Sequence, residues 1–225
     1  GAQIGDHEFS YFAQQLDALS DEHQVLFVVA AGNYTGLPRR GWPVADLHLE
    51  DRLSSPGDSV RALTVGAVAH LDSPGAMVAA GHPAPYSRRG PGPVFTPKPD
   101  LVHAGGGVHE QWDVGPSSLQ MLHPFDALYG SFGTSFATPI VSSVAGHVWQ
   151  SLDGNPDVAV APHMVKALLI HAARLASPDY GALERRYYGC SIPQDALSAL
   201  YDSDDCFTMM FEALVVPGFK WRKTP

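Results

Sequence analysis

The stretch Val25-Leu26-Phe27-Val28-Val29-Ala30-Ala31 constrains the fold more than any other. It is continuously apolar, has no polar face, and ends on Gly32-Asn33. A run this short reads as a strand buried on both faces, as a parallel sheet covered by helices requires. Before it, Phe9, Phe12, Ala13, Leu16 and Leu19 recur at helical spacing. Asp6 or Ser10 is placed to cap that helix, and the polar break Ser20–His23 ends it. A second strand is expected over Ala62–Val68. Residues 72–107 are crowded with Pro and Gly and read as irregular chain with short strands. Residues 108–132 show little periodicity and read as an insertion or long loop.

Two helices follow. Phe136, Ile140, Val141, Val144, Ala145, Val148 and Leu152 mark the first, with Pro139 early enough to be tolerated. Pro162 opens the second, which carries Val165, Leu168, Leu169, Ala172 and Leu175. A late strand is expected at 207–216. Helices alternating with buried strands indicate an α/β fold.

Composition narrows the function. Asp and Glu number 23 against 14 Lys and Arg, a net charge of -9. That balance argues against nucleic acid or an anionic membrane as a partner. No apolar run approaches the roughly 20 residues of a membrane helix. Only 16% of residues are charged, with 22 Gly and 19 Pro, which suits a compact, loop-rich enzyme. Cys190 and Cys206 do not form a disulfide framework; a pair and two free thiols both stay open. Eleven histidines show no compact metal-ligand spacing, so no metal or cofactor is expected. No signal peptide is visible. The chain opens on Gly1 and reads as an excerpt of a longer protein, so that lack carries no weight.

Two stretches carry chemistry. Gly133-Thr134-Ser135-Phe136-Ala137-Thr138-Pro139 places hydroxyl residues at the mouth of an apolar helix. Unpaired N–H groups and partial positive charge gather there. A serine in that place can attack a carbonyl while N–H groups receive the oxyanion. On position alone, Thr134 or Ser135 as a simple helix cap is the plainer reading. Ala30-Ala31-Gly32-Asn33 ends a buried strand, where open α/β sheets bind ligands, and Asn33 brings an amide donor. By itself a simple Gly-Asn turn is the plainer reading, and Asn33-Tyr34-Thr35 also matches a glycosylation sequon.

Together these stretches resemble the subtilase (subtilisin-like) serine proteases. Residues 133–139 match the nucleophile motif Gly-Thr-Ser-x-Ala-Thr-Pro, and residues 30–33 match Ala-Ala-Gly-Asn. Ser55-Pro56 through Thr64-Val65-Gly66-Ala67-Val68 is similar to a third family segment, and Tyr86–Pro91 with Lys98-Pro99-Asp100 to a fourth. The resemblance runs in order from residue 9 to about 200. It implies a subtilisin-like parallel sheet flanked by helices, lacking its N-terminal strands. Residues 1–200 would be a partial peptidase domain and 201–225 the start of a C-terminal β extension. It implies Ser135 as nucleophile, Asn33 as side-chain oxyanion donor, and Ala30, Ala31 and Gly32 as the lining of the substrate pocket. The partner would be a protein or peptide substrate. Longer bacterial subtilases suggest an ATPase beside the parent protein, and the bacterial cytoplasm is favoured.

The family's chain order is Asp, His, Ser, yet no Asp-Ser/Thr-Gly motif occurs, and neither His7 nor His23 sits in a His-Gly-Thr context. Both partners are therefore expected upstream of Gly1, leaving this chain alone inactive and its sheet edge open to association. The alternative is a subtilase-like pseudoenzyme that uses its cleft to bind peptide or protein. An α/β-hydrolase esterase would need Gly-x-Ser-x-Gly, and Ala137 stands at the second glycine.

Overall fold

The computed structural model describes residues 1–45, 50–122, 124–125, 127–194, Thr208, Met210 and 216–218. Cys206, the late strand expected at 207–216 and the extension expected at 201–225 lie outside the described residues, apart from those last positions.

Helix α1 spans Tyr11–His23. Of the two candidate caps, Ser10 holds the position: its hydroxyl accepts from Ala13 N–H at 3.3 Å. Asp58, fully buried, fixes Ser10 in turn by accepting its hydroxyl at 2.8 Å. The expected break at Ser20–His23 is instead the helix's last turn. Ser20 is buried, and its hydroxyl donates to the carbonyl of Val25 at 2.7 Å, so its polarity is satisfied without ending the helix. Gln24, at φ +52°, closes α1 in the left-handed region.

Three strands form a parallel sheet in the order β1 (Val28–Ala30), β2 (Leu63–Val68), β3 (Leu101–Ala104). Val28 faces Leu63, Val65 faces Leu101, and Val68 faces Ala104. All of β2 is buried, as a central strand should be. The apolar run at 25–31 yields only three strand residues, and they are half-buried. The reason is position: among the described residues β1 is the edge of the sheet.

Helix α2 (Thr134–Asp153) lies across all three strands and buries Ala137, Val141, Ala145 and Val148 along one stripe. Pro139 falls beyond the first turn, so the carbonyl of Ser135 loses its usual i+4 donor. Helix α3 (Pro162–Leu175) starts at Pro162 as expected and packs Val165, Leu168, Leu169 and Ala172 into the same core. A short α4 (Ala182–Tyr188) was not legible as a helix. It buries Tyr187 and Tyr188 beneath Trp42.

Residues 108–132 are not simply a loop. They contain an antiparallel hairpin, β4 (Leu119–Leu122) and β5 (Leu128–Ser131), with Leu119 opposite Ser131 and Leu122 opposite Leu128. Its outer residues are exposed, so it lacks the strict in-out alternation that would announce it.

Two buried charge clusters tie loops to this frame. Asp51, fully buried, pairs with Arg89 Nε at 2.5 Å and Arg40 Nε at 3.6 Å, and accepts from the Tyr187 hydroxyl at 3.2 Å. Asp100 bridges Lys98 Nζ at 2.7 Å and Lys166 Nζ at 3.4 Å. Lys166 also donates to the carbonyls of Val60 and Ala62, each at 2.8 Å. Burial pushes the Lys166 amine down to about 8; Asp100 resists this and Lys98 reinforces it. The unfolded chain therefore binds more protons here between pH 8 and the ordinary lysine value of 10.5, and stability contributed by Lys166 rises across that window. Urea unfolding at pH 7.5 and pH 10 should show this rise in the native chain and a smaller one in Lys166→Met. Identical pH slopes for the two would refute the assignment.

Candidate active site

The sheet ends and the start of α2 converge on one cleft of about 470 Å³. Val29, Ala30, Gly32 and Asn33 line it from the end of β1, Thr134 and Ser135 from α2, and Ser54, Ser55 and Pro56 from the chain before β2. Gly1 also borders it. Ser135, Asn33, Ala30 and Gly32 are thus brought together. Ala31 is not at the cleft: it is fully buried and packs with Ile4 and Leu53 instead.

Local geometry explains both glycines. At Gly32, φ is +99°, and a Cβ would sit 2.6 Å from the Ser54 hydroxyl. At Gly133, φ is +154°, and a Cβ would sit 3.2 Å from Asn33 Nδ2. Only residues without a side chain let the strand end, the Ser54 loop and the Asn33 amide approach this closely.

Thr134 has a role that the sequence did not reveal. It is fully buried, and it does not cap its own helix; Gly133 is the N-cap. Its backbone N–H and its hydroxyl donate to Asn33 Oδ1 at 3.0 Å and 2.9 Å. Asn33 therefore caps α2 from a distance of 101 residues in the chain. With Oδ1 fully engaged, the amide turns its Nδ2 hydrogens toward Gly133. The Asn33 backbone is pinned as well, its carbonyl accepting from Arg88 Nε at 3.1 Å. Ser135, second residue of α2, is exposed. Its N–H lies in the first turn, where no intrahelical acceptor exists.

The site thus offers an accessible hydroxyl, a backbone N–H and an oriented amide N–H at the positive end of a 20-residue helix. An attacking oxygen and donors for the resulting oxyanion are the requirements of acyl transfer. A base is also required. Among the described residues, none that lines the cleft is His, Asp or Glu, and His7 and His23 are not part of it. No group of three potential metal ligands occurs among the described residues either. No described helix is long and apolar enough to cross a membrane. Cys190 is a free, half-buried thiol whose pKa is raised by burial.

The fold is a parallel α/β sheet flanked by helices, with a serine at the start of α2 and an amide at the end of β1 facing one cleft. The chain belongs to the subtilase family, whose model matches residues 4–190. It is 29% identical over 195 residues to an uncharacterised protein, y4bN, of Sinorhizobium fredii, covering 73% of this chain and 44% of that one. Its fold is similar to the patellamide maturation protease PatA (TM-score 0.58, 23% identity, 89% of this chain and 60% of that one). It is similar to the prenylagaramide maturation protease PagA (0.56, 24%, 90% and 60%) and to a lanthipeptide protease (0.58, 17%, 84% and 55%). The chain thus spans less than two thirds of the length of each relative.

Proposed function

We propose that this chain supplies the nucleophile and the oxyanion donors of a subtilisin-like serine endopeptidase. Ser135 Oγ attacks the peptide carbonyl. Asn33 Nδ2 and the Ser135 N–H receive the oxyanion. The amine leaves, and water releases the acyl group from Ser135. The observation that carries this reading is the double hydrogen bond from Thr134 to Asn33 Oδ1, which commits the amide's donor end to the nucleophile's side. The absence of an acid or histidine among the described cleft residues supports a base and its orienting acid supplied by a longer protein.

The same absence gives the scaffold reading its footing: a cleft without a base binds peptides and leaves them intact. A fluorophosphonate probe with intact-mass readout separates the two, applied to this chain and to the longer protein. The peptidase reading expects no adduct on this chain alone, and an adduct on the longer protein that Ser135→Ala abolishes. A longer protein that stays unlabelled and leaves an unfolded protein substrate uncut would decide for the scaffold. An adduct on the chain itself would place the base within these residues.

A further inference from the structure

Two loops that the proposed chemistry does not use meet beside the nucleophile. The loop after Asn33 is pinned at both ends, at Tyr34 and at Arg40. Tyr34 is buried, donating its N–H to the carbonyl of Tyr86 at 2.6 Å and its hydroxyl to that of Pro38 at 3.2 Å. Arg40 is buried against Asp51 and donates to the carbonyls of Ala84 and Ser87. Between these anchors Arg39 is exposed, with its guanidinium 4.8 Å from the ring centre of Trp112.

Trp112 belongs to the segment before the β4–β5 hairpin. Its ring packs on Phe132 at 6.1 Å, and Phe132 stacks on the buried Tyr86 at 5.2 Å. Phe132 adjoins Gly133, the N-cap of the nucleophile helix. A row Arg39–Trp112–Phe132–Tyr86 therefore ends beside the site. None of the four lines the cleft formed by 29–33 and 54–56, so the row is a surface apart from that cleft. A peptide that acylates Ser135 extends both ways from the scissile bond, beyond the cleft itself. Exposed Arg61 pairs with Asp21, and Arg174 and Arg185 pair with Asp179. Among the described residues no carboxylate pairs with Arg39, and the acids flanking its platform, Glu110 and Asp113, form no ion pair with it.

We propose that Arg39, stacked over Trp112, is a specificity residue that selects a carboxylate on a bound peptide. This rests on the reading of Ser135 as nucleophile. A guanidinium lying on an indole face keeps its N–H edge open to a carboxylate while losing little mobility on binding. The carboxylate is an acidic side chain or the peptide's own C terminus.

Binding tests this without turnover. Ser135→Ala chain is titrated into neutral peptides carrying an uncharged fluorophore, in which a single Asp is walked from end to end, with free or amidated C termini. One Asp position should tighten binding about fivefold, the upper range for an exposed ion pair. A gain that follows the free C terminus instead assigns that source. The gain should vanish in Arg39→Gln, persist in part in Arg39→Lys, and pass to a Lys-containing peptide in Arg39→Glu. Equal binding of acidic and neutral peptides, a gain that survives Arg39→Gln, or no binding up to millimolar peptide overturns the proposal. Probe labelling of the unsubstituted longer protein reports the nucleophile separately. A labelled Ser135 with Asp-blind binding sinks the specificity alone. Arg39-dependent binding without labelling keeps the carboxylate site and removes the peptidase.

Discussion

Asp51→Asn should destabilise the fold by about 3–5 kcal/mol, the range for removing one partner of a buried ion pair. Total stability of a domain this size is only about 5–15 kcal/mol, so a substantial share of it is at stake. The carboxylate is wholly inaccessible, and it is the shared counter-charge of Arg40, whose side chain is equally inaccessible, and of Arg89, which is nearly so. The amide retains an acceptor for Tyr187 and loses the charge. Burial already pushes the Tyr187 phenol up to about 12, with Asp51 adding to the effect. Urea unfolding monitored by tryptophan fluorescence measures the loss, and a change under about 1 kcal/mol would show the network to be solvated or dispensable. Arg40→Met in the Asp51→Asn background should recover part of it, because an apolar side chain of similar size needs no counter-charge. The effect reaches the site. The same network anchors the loop bearing Arg39 and the chain leading to Ser54 and Ser55 at the cleft.

Asn33→Ala and Asn33→Asp should each slow acylation of Ser135 in the longer protein by about 10²–10³, the size expected for one lost oxyanion donor. They should differ in stability. Alanine leaves the Thr134 N–H and its buried hydroxyl without their acceptor, a cost of about 1–3 kcal/mol. Aspartate keeps both hydrogen bonds and makes them charge-assisted, so its stability should stay near that of the native chain. The two measurements together separate the amide's two ends: the oxygen's hold on the helix and the nitrogen's proposed part in the reaction. Equal acylation rates for native chain and Asn33→Ala would remove Asn33 from the chemistry.

Much of this was readable from residues. The stripe on α2 and Pro162 at the start of α3 announced helices because both carry a dense apolar face. Central β2 was legible because burial on both faces leaves a run whose one polar residue, Thr64, satisfies its hydroxyl on the carbonyl of Gly57. The family motifs located Ser135 and Asn33. The misses have physical causes. The run at 25–31 looked like a full strand, but an edge position leaves it short and half-wet. Helix α4 has seven residues, too few to establish a period, and its two charged arginines sit beside its two buried tyrosines. The hairpin hid behind exposed Leu122, Leu128 and Tyr129. The Asp51 cluster draws on positions 40, 51, 89 and 187, and no local pattern links them. Thr134 looked like a cap because caps and clamps use the same hydroxyl; only the third dimension says which oxygen it reaches.

The bond between Thr134 and Asn33 also sets when reactivity can arise. It closes a loop of 101 residues, and such long closures come late, after local elements have formed. Sheet strands β2 and β3 and the hairpin all lie inside that loop. A chain still emerging or half-collapsed has a serine and an asparagine but no site. The hydroxyl meets the amide only once the intervening core has set, so on the proposed reading reactivity would be withheld until the chain is whole.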